Sequence, residues 1–110
     1  MMLPNHEQAY IPEPKLTKYL LSETHAVGKA KAKYFRSFGY TEANVDQLAD
    51  GLLMIAKSKE VSQAVTTPYG TKYIMEGDIF TPIGTTVRIR TVWVVESGDK
   101  RPRFVTAYPA

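Results

Sequence analysis

The hydrophobic period of this chain changes near residue 60. Before it, Val45, Leu48, Ala49, Leu52, Ile55 and Ala56 recur every three or four positions, the spacing of one helix face. After it, β-branched and aromatic residues take over and turn residues punctuate them. Val87, Ile89, Thr91, Trp93 and Val95 then alternate onto one side of a strand, and Arg88, Arg90, Val92, Val94 and Glu96 onto the other. Helices first and strands second predicts an α+β fold, with N-terminal helices packed on one face of a C-terminal four-stranded antiparallel sheet. The second set of side chains, with its two arginines, is expected to lie on a partly open face.

A length of 110 residues fits a single domain, 1–110. Residues 1–14 hold Pro4, Pro12 and Pro14 without periodicity and read as an extended N-terminal arm. Residues 15–59 form the helical part and 60–110 the sheet. A short helix through Leu16, Tyr19, Leu20 and Leu21 follows the prolines, which a first helical turn tolerates. A second helix runs from about His25 to Phe38, capped by Ser22 or Thr24 and stopped by Gly39. Thr41 caps a third, from about Glu42 to Lys59, and Gly51 in its interior marks close packing. Strands are expected near 60–67, 71–79, 85–96 and 103–108. Links as short as Thr67-Pro68-Tyr69-Gly70 and Thr81-Pro82-Ile83-Gly84 join antiparallel neighbours, since parallel ones need long crossovers.

The chain has no cysteine, which excludes disulfides, thiol nucleophiles and thiolate metal sites. No apolar run approaches the ~20 residues of a membrane-spanning helix. The start, Met1 to His6, lacks the basic and apolar stretches of a signal peptide. A cytoplasmic protein without membrane contact is expected. There is no Walker loop and no dinucleotide glycine fingerprint, two separated histidines do not make a zinc site, and the carboxylates form no compact motif. No metal and no cofactor are expected.

The net charge of +3 is compatible with a polyanionic partner, and its distribution says more than its size. On a helical wheel Val27, Ala30, Tyr34, Phe35 and Phe38 form an apolar stripe, with Lys29, Lys33 and Arg36 on the opposite, solvated side. Lys31 falls within the stripe, so it must snorkel, find a carboxylate or face a cleft between helix and sheet. His25 opens the same helix, where it could carry a proton near neutral pH or sit on the surface. Arg88, Arg90, Lys72, Tyr73, Thr106 and Tyr108 fall on neighbouring strands. They can make either a phosphate-binding surface or a solvated sheet with cross-strand charge pairs.

Three stretches carry a resemblance. They are Lys15-Leu-Thr-Lys-Tyr-Leu-Leu21, His25-Ala-Val-Gly-Lys-Ala-Lys-Ala-Lys-Tyr-Phe-Arg-Ser-Phe-Gly39, and a C-terminal block. That block comprises Thr67-Pro-Tyr-Gly-Thr-Lys-Tyr-Ile-Met-Glu-Gly77, Arg90-Thr-Val-Trp-Val-Val95 and Pro102-Arg-Phe-Val-Thr-Ala-Tyr-Pro109. Over nearly the whole chain they resemble a bacterial domain family of unknown function, found as short stand-alone proteins or at the ends of larger toxins. That family in turn looks like the barnase–EndoU–colicin–RelE superfamily of metal-independent ribonuclease toxins. The resemblance implies a toxin-like endoribonuclease, the toxin of a toxin–antitoxin or toxin–immunity pair, acting on transfer or messenger RNA. A small acidic antitoxin or immunity protein would neutralise it. His25, Lys31, Lys72, Arg90, Thr106 and Tyr108 become the catalytic candidates, and Lys29, Lys33, Arg36 and Arg88 the RNA-binding ones. Relatives in that superfamily place a Lys-His pair inside the helix, whereas the matching region here has lysines and no second histidine. Without His25, Tyr108 or a lysine would have to move the proton. The alternative is a non-catalytic RNA-binding or protein-docking module that uses the same basic face.

Overall fold

The computed structural model describes residues 1–24 and 29–110. Among these, helices precede strands as the period change predicts. Helix α1 spans Glu13–Lys15 and continues as a π-helical turn over Leu16–Leu20. Helix α2 spans Lys29–Ser37, and α3 spans Val45–Ser58 after a 3-10 turn over Glu42–Asn44. Strands β1 (Gln63–Thr67), β2 (Gly70–Phe80), β3 (Thr86–Glu96) and β4 (Arg103–Pro109) form an antiparallel sheet in the order β1-β2-β3-β4.

The expected helix signals act where the sequence puts them. Gly39 has φ +92, and its N–H donates to the Arg36 carbonyl at 3.0 Å while the Tyr40 N–H reaches the Phe35 carbonyl. This left-handed glycine stop satisfies the last carbonyls of α2, and Tyr40 packs edge-on to Phe35. The Thr41 hydroxyl accepts from the Ala43 N–H, and the Asn44 side chain accepts from the Thr41 N–H, so each end of this turn caps the other. Residues 25–28, His25 among them, lie outside the described residues. Of the two proposed caps, the Ser22 hydroxyl accepts from the Thr24 N–H at 3.4 Å.

The arm differs from the extended segment expected. Leu3 and Ala9 are buried, His6–Gln8 forms a 3-10 turn, and Met2 and Tyr10 bridge Glu60 and Arg103. Two isolated apolar side chains leave no periodic signal, yet each finds a place in the core.

That core is one cluster running from Leu3, Leu20 and Phe35 through Leu48, Leu52 and Ile55 to Met75, Ile89, Trp93 and Phe104. Helix α3 lies close on β2 because two glycines allow it. A Cβ on Gly51 would stand 3.2 Å from Ile79, and one on Gly77 would stand 2.8 Å from Ile55. Trp93 is fully buried and donates its indole N–H to Thr91, whose hydroxyl donates to the Met75 carbonyl. Every polar atom of that pair is therefore satisfied. The opposite face carries Lys72, Ile74, Glu76 and Asp78 on β2, and Arg88, Arg90, Val92, Val94 and Glu96 on β3. None of these is buried. This is the open face that the alternation of β3 predicts.

Candidate functional site

Strand register decides what meets on the open face. Arg90 stands opposite Glu76 on one side and Tyr108 on the other. Its Nε and Nη2 both donate to Glu76 Oε2, at 2.9 and 2.8 Å. Its guanidinium carbon lies 5.9 Å from the centre of the Tyr108 ring. Arg88, one pleat along, is 3.5 Å from both Glu76 and Asp78. A hollow of about 430 Å³ opens beside the group, between Glu76, Arg90 and Tyr108 and the first residues of the β1 edge, Ser62 and Gln63. The Arg90 hydrogen bond holds the Glu76 carboxyl below the usual carboxylate range, against an opposing effect of desolvation. In return Glu76, and after it Tyr108, raise Arg90 above its ordinary value. Near neutral pH the centre of this face is an ion pair under a phenol.

A second group forms at the β4 edge. The π-helical turn, closed by the Leu21 N–H on the Leu16 carbonyl, carries Tyr19. The Tyr19 hydroxyl and Thr106 Oγ1 are 2.9 Å apart and share a hydrogen bond. Two ammonium groups flank the Tyr19 ring, Lys15 at 4.8 Å and Lys31 at 5.9 Å from its centre. Lys31 is half-buried, so it takes the boundary between helices and sheet, one of the choices its place in the apolar stripe allowed. A register shift after Val92 adds one residue to β4 next to Thr106. Thr106 and Tyr108 are two residues apart, ~7 Å along the strand, so the groups adjoin across a single pleat.

The remaining candidates are spread out. Lys72 lies four residues before Glu76 on β2, ~13 Å away, in a different hollow. Lys29 and Lys33 are exposed on α2. Arg36, expected beside them on the solvated side, turns back instead. It donates from Nε and Nη2 to the Leu21 carbonyl at 3.0 and 2.6 Å, and from Nη2 to both Glu42 oxygens at 2.5 and 2.9 Å. It also stands 3.3 Å from Glu23. Arg36 therefore ties α2 to the turns around it, and its hydrogen bond lowers the Glu42 pKa. Ala30 is exposed and Ala32 fully buried, so the stripe is rotated from the one drawn on the wheel.

Glu76 and Asp78 in the first group, and Tyr19 and Lys15 in the second, are absent from the sequence-based candidates. Glu76 was legible. The Thr81 to Gly84 link closes a hairpin in which Phe80 faces Thr86, and that pairing carries residue 76 opposite residue 90. Tyr19 was not, because nothing in its spacing announces a π turn that reaches an edge strand. Among the described residues no three of His, Asp and Glu group so as to hold a metal ion, and no helix is long and apolar enough to cross a membrane.

The family model described as Domain of unknown function (DUF6883) matches residues 2–110, and the chain belongs to that family. Among solved structures it is similar to a chain of a contact-dependent growth inhibition toxin–immunity protein complex from Klebsiella pneumoniae 342. The TM-score is 0.74 at 18% identity, over 94% of this chain and 95% of the other. At that identity the likeness is one of fold. No curated protein matches the chain in sequence.

Proposed function

We propose that this member of the DUF6883 family is the toxin of a toxin–immunity or toxin–antitoxin pair, and that it cleaves RNA in the cytoplasm without a metal. The carrying observation is the row Glu76–Arg90–Tyr108 on the open face, continuous with Thr106, Tyr19 and Lys31 at the β4 edge. The fold shared with a chain of a toxin–immunity complex supports the same reading.

RNA carries its own nucleophile. Cleavage needs the 2′-OH proton removed, the O2′ held in line with phosphorus, the added negative charge stabilised, and the departing 5′-oxygen protonated. Arg90 supplies a fixed fork for two phosphate oxygens once the phosphate shares it with Glu76. Lys31 and Lys15 add mobile charge at the neighbouring edge. The Tyr108 and Thr106 hydroxyls can bond the phosphate oxygens. Glu76, ionised and already on Arg90, orients the guanidinium and can accept the 2′-OH proton. His25 is the proposed second proton carrier, with Tyr108 or Lys31 in that place otherwise. A small acidic immunity protein or antitoxin would cover the lysines of α1 and α2.

The test is expression in a bacterium, with transfer and total RNA followed on gels. Cleavage that disappears in Arg90→Ala and in His25→Ala, with circular dichroism unchanged, supports the reading. A harmless wild-type protein that leaves all RNA intact refutes it. A second reading, a non-catalytic RNA-binding or docking module, is favoured by one observation. Arg88 and Arg90 already hold carboxylates, as a merely structural sheet surface would. RNA affinity with a steep salt dependence and no cleavage would select it.

A further inference from the structure

We infer that the far end of the open face is a second nucleotide subsite, where a base stacks on Tyr69 and its phosphate meets Lys72; this rests on the reading of the chain as an RNA-cleaving protein. A hollow of about 490 Å³ lies there, with Val94 and Val105 as its apolar floor and Pro68 and Tyr69 at its rim. The Tyr69 ring is 82% exposed, more than any other large apolar side chain among the described residues. Its backbone is nevertheless pinned. The Tyr69 N–H donates to the Thr67 hydroxyl at 3.2 Å, and the Tyr69 carbonyl accepts from the Ser97 N–H at 2.9 Å. The Thr67 hydroxyl in turn donates to the Gly70 carbonyl. A flat ring held out by a fixed backbone has little freedom to lose on stacking, which is the requirement for a base platform.

The charges beside it are unequal. Arg103 is taken up by Glu96, while Lys72 is in no ion pair among the described residues. The hollow therefore offers one free cation next to one free aromatic face, the chemistry of a nucleotide. Lys72 is ~13 Å along β2 from Glu76. A stacked strand covers that distance in about four nucleotides, at roughly 3.4 Å each, and an extended strand in fewer. Ile74 and Val92, both half-buried, form the uncharged floor between the two sites. A dinucleotide held at Arg90 would not reach Tyr69, whereas an octamer would.

The experiment uses the full chain with labelled 2′-O-methyl oligoribonucleotides of mixed sequence, two and eight residues long, followed by fluorescence anisotropy. Unmodified RNAs of the same lengths report cleavage. Tyr69→Ala should weaken octamer binding about ten-fold and leave dinucleotide cleavage unchanged, while Tyr69→Trp binds the octamer like the wild type. Lys72→Gln should lower the octamer salt slope by about 0.7. Octamer affinity that both variants leave intact, in a protein that still binds and cleaves RNA, overturns the subsite alone. Equal losses on both lengths overturn it too, since they place Tyr69 at the cleavage site. A wild type that binds neither oligonucleotide overturns the ribonuclease reading and the subsite together.

Discussion

The arginines of the open sheet face and the lysines of the first helical stretch are held differently. On the sheet, Arg88, Arg90 and Arg103 each stand on a carboxylate. On α1, the π-helical turn and α2, Lys15, Lys18, Lys29, Lys31 and Lys33 stand on none among the described residues. Residues 13–37 hold six of the fourteen Lys and Arg and two of the eleven Asp and Glu, so that stretch is net +4 and the rest of the chain net −1. The basic character of this protein is thus a property of its helical edge. Paired arginines have fixed directions and little field, whereas unpaired lysines have field and no fixed direction. Under the proposed function the lysines would gather a polyanion and the arginines would place it.

That division of labour can be broken first at Arg90. Arg90→Ala should lower RNA cleavage by about 10²–10³, the scale for losing one preorganised donor to developing charge. Arg90→Lys should restore little of it, because an ammonium cannot reproduce the two N–H bonds. Arg88→Ala, one pleat away and longer in both its contacts, should cost much less. Comparable losses from Arg88→Ala and Arg90→Ala in single-turnover cleavage would mean that the face acts as a diffuse charge.

The helical lysines sharpen the comparison from the other side. Replacing Lys29 and Lys33 with Gln together should reduce the slope of log affinity against log salt by about 1.4, roughly 0.7 for each phosphate contact to a single strand. The rate at saturating RNA should stay unchanged. A fall in that rate with the salt slope intact would put these lysines at the reacting phosphate. A smaller effect is expected where the two groups meet. Tyr19→Phe removes the hydroxyl bonded to Thr106 and keeps the ring between Lys15 and Lys31. It should lower stability by about 1 kcal/mol in urea unfolding, the worth of one part-buried hydrogen bond.

Much of the fold was legible because it rests on local rules. The period change set the order of elements, Gly39 and Thr41 stopped and started the helices as their chemistry requires, and Gly51 lies against Ile79. The alternation of β3 separated core from open face. The site was legible only where register could be counted, which brings Arg90 to Glu76 across one hairpin, whereas the extra residue in β4 hides the pairing of Arg90 with Tyr108 from such a count. Arg36 shows what a helical wheel leaves out. The wheel puts it on the outer side, but a long side chain can turn back to a buried carbonyl and two carboxylates from flanking turns. Lys72 shows the converse, since adjacency in strand order is not proximity, and four residues of strand separate it from the arginine it was grouped with.

The weakest test of the comparison is acid. The Glu76 carboxyl is held below its ordinary value chiefly by the Arg90 hydrogen bond, and Glu42 likewise by Arg36. A depressed folded-state pKa contributes stability that is complete above the unfolded value, about 4.3 for Glu, and is lost as pH falls through the folded value. Thermal unfolding of the wild type should therefore fall as pH drops from about 5 toward 3 by more than in Glu76→Gln, which has lost one of these carboxylates. Lys31→Gln should follow the wild-type curve. Both carboxylates lie at the solvent boundary, so the difference should be small and shrink further in high salt. Curves for Glu76→Gln and wild type that run parallel from pH 6 to 3 would show that Arg90 is not stabilised by its partner. The sheet arginines would then be as free as the helical lysines.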